Sequence, residues 1–323
     1  MKICITHDIP GPAIEVLQGK GFEVSLSIRN RPLERSELLE FVKGADAIIS
    51  LLTDKIDAAV LDIAGPQLKI VANYAIGFDN IDLEAARSRG IIVTNTPSQT
   101  ITDAVAEQTF TLMMALAKKL RASDEFIRDG NYHGFDPNLF IGTQLLGKTL
   151  GIVGLGRIGS VVARMAVKGM GMRVIYNSSS RKEDFEKEFG ARFTTLDDLL
   201  CLSDFVTLHV PLTAETDHLI DGSKLALMKR SAFIINTARG GIIAESDLVK
   251  ALEEGTIAGA GLDVFENENS VGVELRKLDN VILTPHIASA TFEAREEMSR
   301  IAAENIIAVL SGKKPLNPAF ISS

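Results

Sequence analysis

Thr149-Leu150-Gly151-Ile152-Val153-Gly154-Leu155-Gly156-Arg157-Ile158-Gly159 is the stretch whose reading decides the fold. Its first five residues read as a strand, and the helical pattern Ser160–Val167 follows directly. A glycine triplet alone is a weak signal in a chain with 26 glycines. Between a strand and a helix each glycine acquires a task. Gly154 allows the tight turn, Gly156 lets backbone approach a pyrophosphate, and Gly159 lets the helix pack on the strand. The N–H groups opening that helix would then offer partial positive charge to phosphates, with Arg157 and Ile158 in the same turn. The bland alternative is a glycine turn that binds no nucleotide.

Working outward, apolar runs alternate with amphipathic stretches on both sides. Before the loop, strands are expected at Lys2–Thr6, Phe22–Ser27, Ala45–Ser50, Lys69–Asn73 and Ile91–Thr94. Helical patterns lie between them at Pro12–Lys20, Glu34–Val42, Asp57–Ala64 and Leu83–Arg89. One long helix is expected over about Thr102–Arg121, followed by a loop or arm at Asp129–Gly142. After the glycines, strands are expected near Leu150–Val153, Arg173–Tyr176, Phe205–Leu208, Ala232–Asn236, Ala258–Asp263 and Val281–Thr284, with a last helix at Phe292–Leu310. Such alternation predicts an α/β chain of two doubly wound parallel sheets with right-handed crossovers.

At 323 residues the chain exceeds the usual reach of one hydrophobic core, so two domains are expected. Its 46% hydrophobic and 24% charged residues are those of a water-soluble protein. A net charge of −8 without a basic block argues against nucleic acid and anionic membrane as partners. An acidic chain that handles an anionic substrate must therefore build a local positive site. The opening residues form too short an apolar run for a signal peptide, and no span reaches 18 apolar residues. Cys4 and Cys201 are expected as two buried free thiols, and the cytoplasm as the compartment.

Further segments then add up. They are Asn73–Asp82 (NYAIGFDNID), Thr94–Pro97 with Thr102–Glu107, Leu208–Thr213 (LHVPLT), Ile235–Gly241 (INTARGG), Gly261–Glu266 (GLDVFE) and Thr284–Ile287 (TPHI). Along almost its whole length the chain resembles the D-isomer-specific 2-hydroxyacid dehydrogenases, most of all the glyoxylate/hydroxypyruvate reductases. The resemblance implies a Rossmann cofactor domain, residues 100–287, inserted into a flavodoxin-like substrate domain, residues 1–99 with 288–323. It implies a homodimer formed through the cofactor domain and the arm. It also implies hydride transfer to a small 2-oxo acid with Arg239, Glu268 and His286 as the catalytic set.

Physical chemistry supports those roles. A guanidinium at Arg239, after a strand end, can fork onto a carboxylate and a carbonyl oxygen. Histidine titrates near working pH, which suits His286 to donate a proton. Glu268 would orient that imidazole, although without the resemblance Glu266 or Glu274 would serve equally. His209 competes for the acid role; the resemblance makes it cofactor wall, alongside Pro211, Thr237 and Ala238. His218 reads as structural. Ala75, Ile76 and Gly77 resemble a backbone cradle for the substrate carboxylate, with Leu52 as pocket wall. Asp263 is expected either to accept from the nicotinamide carboxamide or to act as a strand-end cap.

NAD-selective folds place an acid at the end of the second strand. Here that position is Asn177, followed by Ser178, Ser179, Ser180, Arg181 and Lys182, so NADP is expected to be preferred, with NAD use possible. The competing reading is a polar turn with Ser180 as helix cap. Two features depart from the family. Asn269 stands where proline usually follows Glu268, loosening that loop, and the arm has Tyr132 and Phe135 but no tryptophan. A reductase of a larger 2-oxo acid such as 2-ketogluconate remains an alternative. A nucleotide-sensing corepressor-like scaffold is the other; such a scaffold would be expected to carry long disordered flanks, whereas this chain opens in a strand and ends three residues after Phe320.

Overall fold

The structure, a computed structural model, describes residues 1–29, 31–268 and 270–319. Asn269, the proline departure, and the chain end from Phe320 lie outside them. The chain divides into two compact units, Met1–Ile101 with Ala290–Ser323, and Thr102–Ser289.

The first unit alternates β1 (Lys2–Ile5), α1 (Ala13–Gly19), β2 (Glu23–Leu26), α2 (Arg35–Phe41), β3 (Ala47–Ser50), α3 (Ala58–Ala64), β4 (Ile70–Asn73), α4 (Leu83–Ser88) and β5 (Ile92–Thr94). The strands pair in parallel in the order β2-β1-β3-β4-β5. Every residue of β3 and β4 is buried, as expected where helices cover both faces of a parallel sheet. The helix Phe292–Leu310 returns to this unit, where its Ser299 hydroxyl accepts from the backbone N–H of Ala13 at 2.9 Å.

In the second unit α5 (Gln99–Ala117) and α6 (Leu120–Arg128) precede β6 (Thr149–Val153), α7 (Arg157–Met170), β7 (Arg173–Asn177), α8 (Glu183–Phe189), β8 (Arg192–Phe193), α9 (Leu196–Leu202) and β9 (Phe205–Leu208). Then come α10 (Gly222–Leu225), β10 (Phe233–Asn236), α11 (Glu245–Glu253), β11 (Gly259–Leu262), α12 (Val273–Lys277) and β12 (Val281–Leu283). All seven strands are parallel, in the order β12-β11-β10-β9-β6-β7-β8. The order reverses between β6 and β9, and ligands of open α/β sheets bind beyond the strand ends at such a switch point. The glycine loop leaves β6 there.

Three local expectations are corrected. The long helix does not run to Arg121: Lys119 takes φ 51° and separates α5 from α6. The returning arm causes the break, because Thr143 N–H donates to the Ala117 carbonyl at 2.7 Å. Gly142 presses so close that a Cβ there would sit 2.3 Å from the same oxygen. Cys201 is exposed on α9, whereas Cys4 is buried as expected. Ser180 is not a cap, since α8 starts at Glu183 and the buried Tyr176 hydroxyl accepts from Lys182 N–H at 2.7 Å.

Candidate active site

The glycine loop is shaped to take a dinucleotide. Gly154 has φ 97°, and a Cβ there would lie 2.7 Å from the His209 carbonyl oxygen. A Cβ on Gly159 would lie 2.1 Å from the Gly154 carbonyl oxygen, so only glycine lets α7 approach β6. Gly156 is different: a Cβ would meet nothing within 4 Å, which leaves the backbone open on that side. No side chain caps the first turn of α7, so its N–H groups remain available for phosphate. His209, at the end of β9, keeps Nε2 buried with no hydrogen-bond partner. Burial pushes its pKa down to about 3, so this imidazole is neutral at working pH, which does not favour it as the proton donor. Pro211 is exposed beside it, whereas Thr237 is buried and Ala238 half-buried after β10.

The three candidate catalytic residues lie in the same unit, on loops that touch. After β10, the buried Asn236 side chain accepts from Ala238 N–H at 3.0 Å and donates to the Arg239 carbonyl at 2.8 Å. Arg239 Nη1 in turn donates to the Ala238 carbonyl at 2.7 Å. The next residue, Gly240, lies against the loop that leads to Glu268; a Cβ there would come within 1.8 Å of the Phe265 carbonyl carbon. Glu268 Oε1 accepts from Phe265 N–H at 3.3 Å and stands 3.3 Å from His286 Nδ1. That imidazole–carboxylate pair is at ion-pair distance but not aligned as a hydrogen bond, a common state before a ligand tightens a site.

His286 itself holds φ 52°, in the left-handed region that non-glycine residues seldom enter. Such backbone costs about 1–3 kcal/mol and survives only where the surroundings over-determine it. Here they do. His286 N–H donates to the carbonyls of Asp263 at 2.9 Å and Thr284 at 3.0 Å. The Asp263 carboxylate accepts from the Thr284 hydroxyl at 2.5 Å, Ile287 N–H at 2.9 Å and Ala288 N–H at 2.8 Å. Burial raises the Asp263 pKa against those donors. Of its two expected roles, the strand-end cap is the one this geometry displays.

In the first unit the segment after β4 is turned with its carbonyls inward. Ala75 O accepts from Thr96 N–H at 3.0 Å, Ile76 O from Asn95 Nδ2 at 2.7 Å, and Gly77 O from Asn73 Nδ2 at 2.8 Å. The N–H groups of all three find no acceptor among the described residues. That is the arrangement a carboxylate needs. Leu52, half-buried, sits in a turn held by the buried Asp54, which accepts from Leu51 N–H at 2.8 Å.

The model of the D-isomer-specific 2-hydroxyacid dehydrogenase NAD-binding domain matches residues 110–288. The chain is 49% identical over 320 residues to glyoxylate reductase of Thermococcus litoralis, covering 98% of this chain and 96% of that one. The chain belongs to the D-isomer-specific 2-hydroxyacid dehydrogenases. It is a nicotinamide-dependent dehydrogenase that converts a 2-oxo acid to the D-2-hydroxy acid. Among solved structures this dehydrogenase is similar to a protein of Thermus thermophilus, with TM-score 0.93, 42% identity and coverage of 99% of this chain and 100% of that one. It is also similar to an NADPH-dependent glyoxylate/hydroxypyruvate reductase of Sinorhizobium meliloti in complex with citrate, with TM-score 0.84, 32% identity and coverage of 98% and 97%. Among the described residues no helix is long and apolar enough to cross a membrane, and no His, Cys, Asp or Glu cluster is placed to hold a metal.

Supporting residues of the dehydrogenase escaped the sequence reading. Gln108 Nε2 donates to the Thr284 hydroxyl at 3.2 Å, and the Thr109 hydroxyl lies 3.1 Å from that of Thr237, so α5 pins two site loops. The serines after β7 stand at the surface, Ser178 half-buried and Ser179 and Ser180 exposed, but Asn177 spends its amide on the Thr194 carbonyl at 3.0 Å. Arg181 is paired with Glu186 at 2.7 Å. No local pattern signals the contacts of Gln108, Thr109 and Asn177, since each reaches a residue 17 or more positions away.

Proposed function

We propose that this dehydrogenase reduces small 2-oxo acids of the glyoxylate and hydroxypyruvate kind, with His286 as proton donor. What carries the reading is the His286–Glu268 pair on its strained, braced turn, whereas burial keeps the competing His209 neutral. Nδ1 faces Glu268, which leaves Nε2 to protonate the substrate carbonyl oxygen. Arg239 would fork onto the carboxylate and that oxygen. In the first unit the N–H groups of Ala75–Gly77 would take carboxylate oxygens, and Leu52 would wall the pocket. A bound nicotinamide supplies the hydride; the glycine loop, Asn177–Arg181, His209, Pro211, Thr237, Ala238 and Asp263 would hold its dinucleotide.

NADP is the cofactor this reading prefers. From Asn177 to Lys182 no carboxylate stands in sequence to repel a 2′-phosphate, and three serine hydroxyls and two cations follow the strand. The names of similar proteins supply the substrate class: glyoxylate reductase for the Thermococcus relative and NADPH-dependent glyoxylate/hydroxypyruvate reductase for the Sinorhizobium one. A homodimer fits as well. The helix α6 buries no residue, Leu120, Ile127, Phe135 and Ile141 are exposed, and a groove of about 580 Å³ opens beside the arm.

The test is kcat/KM for glyoxylate, hydroxypyruvate, pyruvate and 2-ketogluconate with each cofactor, in wild type and Arg181→Ala. Glyoxylate or hydroxypyruvate with NADPH is expected to lead, and Arg181→Ala to lower the NADPH value selectively. A lead for 2-ketogluconate would move the reading to larger acids. A lead for NADH, or an NADPH value untouched in Arg181→Ala, would end the NADP assignment.

A further inference from the structure

We infer that Glu186 limits the preference for NADP by competing with the ribose 2′-phosphate for Arg181; this rests on the reading of the loop after β7 given above. The guanidinium is held by two oxygens of one carboxylate. Arg181 Nε donates to Glu186 Oε1 at 2.9 Å and Oε2 at 3.2 Å, and Nη2 donates to Oε2 at 2.7 Å.

The two partners are anchored unequally. Glu186 is on α8, its side chain only 14% exposed, and it also accepts from the Tyr176 hydroxyl at 2.8 Å. Tyr176 is fully buried in β7, its ring edge-on to Phe193 at 5.4 Å, and its oxygen also accepts from Lys182 N–H. Arg181 has a side chain 59% exposed, on an irregular segment. The carboxylate is thus the fixed member and the guanidinium the movable one.

A cation that must serve two anions serves each less well. To grip a 2′-phosphate in a bidentate fork, Arg181 must leave Glu186, exchanging one charge-assisted pair for another. The exchange strands a partly buried carboxylate, and that carboxylate repels the incoming phosphate. NADH has no 2′-phosphate and leaves the pair intact. The acid that discriminates against NADP is therefore missing from the strand end, at Asn177, but its counterpart acts from α8 through Arg181. Specificity here is a difference between two affinities, lowered on one side only.

The experiment uses the full chain and two readouts. Calorimetry measures affinity for adenosine 2′,5′-bisphosphate against adenosine 5′-monophosphate, and initial rates give the NADPH to NADH ratio of kcat/KM. Glu186→Gln keeps the shape and the bond from Tyr176 but removes the charge. Both ratios are expected to rise about 2–5-fold, the worth of a partly exposed ion pair. Glu186→Asp retains the charge and should stay near wild type. If Glu186→Gln lowers thermal stability with both ratios unchanged, the pair only braces α8 and the inference fails. Arg181→Ala separates the two levels. Should it weaken bisphosphate binding while Glu186→Gln does not strengthen it, the competition alone is wrong. Should Arg181→Ala leave bisphosphate binding untouched, Arg181 is no phosphate partner, and both the inference and the loop reading fall.

Discussion

Replacing His286 by asparagine should lower kcat for 2-oxo acid reduction by about 10²–10⁴-fold, the usual worth of a placed proton donor. Asparagine suits the test for a structural reason. The residue holds φ 52°, a conformation asparagine enters more easily than most side chains, so the backbone turn should survive. The three bonds that Asp263 accepts from Thr284, Ile287 and Ala288 involve no imidazole atom and should persist. Cofactor affinity should therefore change little, and the loss should fall on kcat. His209→Asn is the matched control. With a pKa near 3 the imidazole of His209 is already deprotonated across the working range, so its loss should leave the acid step standing. Near wild-type turnover in His286→Asn beside a dead His209→Asn would reverse the assignment.

The second large effect is expected from Arg239→Lys. Charge is retained, but a planar fork with two parallel donors becomes a single ammonium. Losing one hydrogen bond to a charged group costs about 1.5–3 kcal/mol, which corresponds to roughly 10–100-fold in kcat/KM. Because the fork is assigned to both the carboxylate and the reacting carbonyl oxygen, KM should rise and kcat should fall together. The backbone around it is held independently by Asn236 and by the close contact of Gly240 with Phe265, so stability should be nearly unchanged. An unaltered kcat/KM would remove Arg239 from the site. A loss confined to cofactor binding would place it in the dinucleotide wall.

Much of the fold was legible because a buried parallel strand is an uninterrupted apolar run and its crossover helix is amphipathic. The strand ends that matter, at Val153, Leu208, Asn236 and Leu262, coincide with the ends of such runs to within a residue. Legibility failed where a distant segment decided a local outcome. The break at Lys119 depends on Gly142 and Thr143, more than 20 residues on in sequence. No side chain caps α8, whose N-cap is Lys182; the Tyr176 hydroxyl of the preceding strand holds the Lys182 N–H, whereas local rules favour a serine cap. Cys201 lies in an apolar-looking run, yet it falls on the outward face of α9.

At the site, residue types indicated chemistry but did not choose among candidates. Glu268 could not be told from Glu266 by sequence pattern. In the structure Glu266 is committed to His218 at 2.8 Å and to Glu245 N–H at 2.9 Å, while Glu268 faces His286. Likewise His209 and His286 each follow a strand end. Their partners separate them: a carboxylate, Glu268, stands 3.3 Å from His286 Nδ1, whereas His209 Nε2 is buried with no hydrogen-bond partner. Arg181 looked like a waiting cation in sequence and is engaged by Glu186 in the fold.

The most direct measurement of the central claim is the configuration of the product formed from hydroxypyruvate and NADPH by the wild-type enzyme. Glyoxylate yields a product without a stereocentre, whereas hydroxypyruvate yields glycerate, in which the face that received the hydride can be read. NADPH oxidation matched one to one by D-glycerate is the expected result. Formation of L-glycerate, or no NADPH oxidation by protein that binds the cofactor, would contradict it.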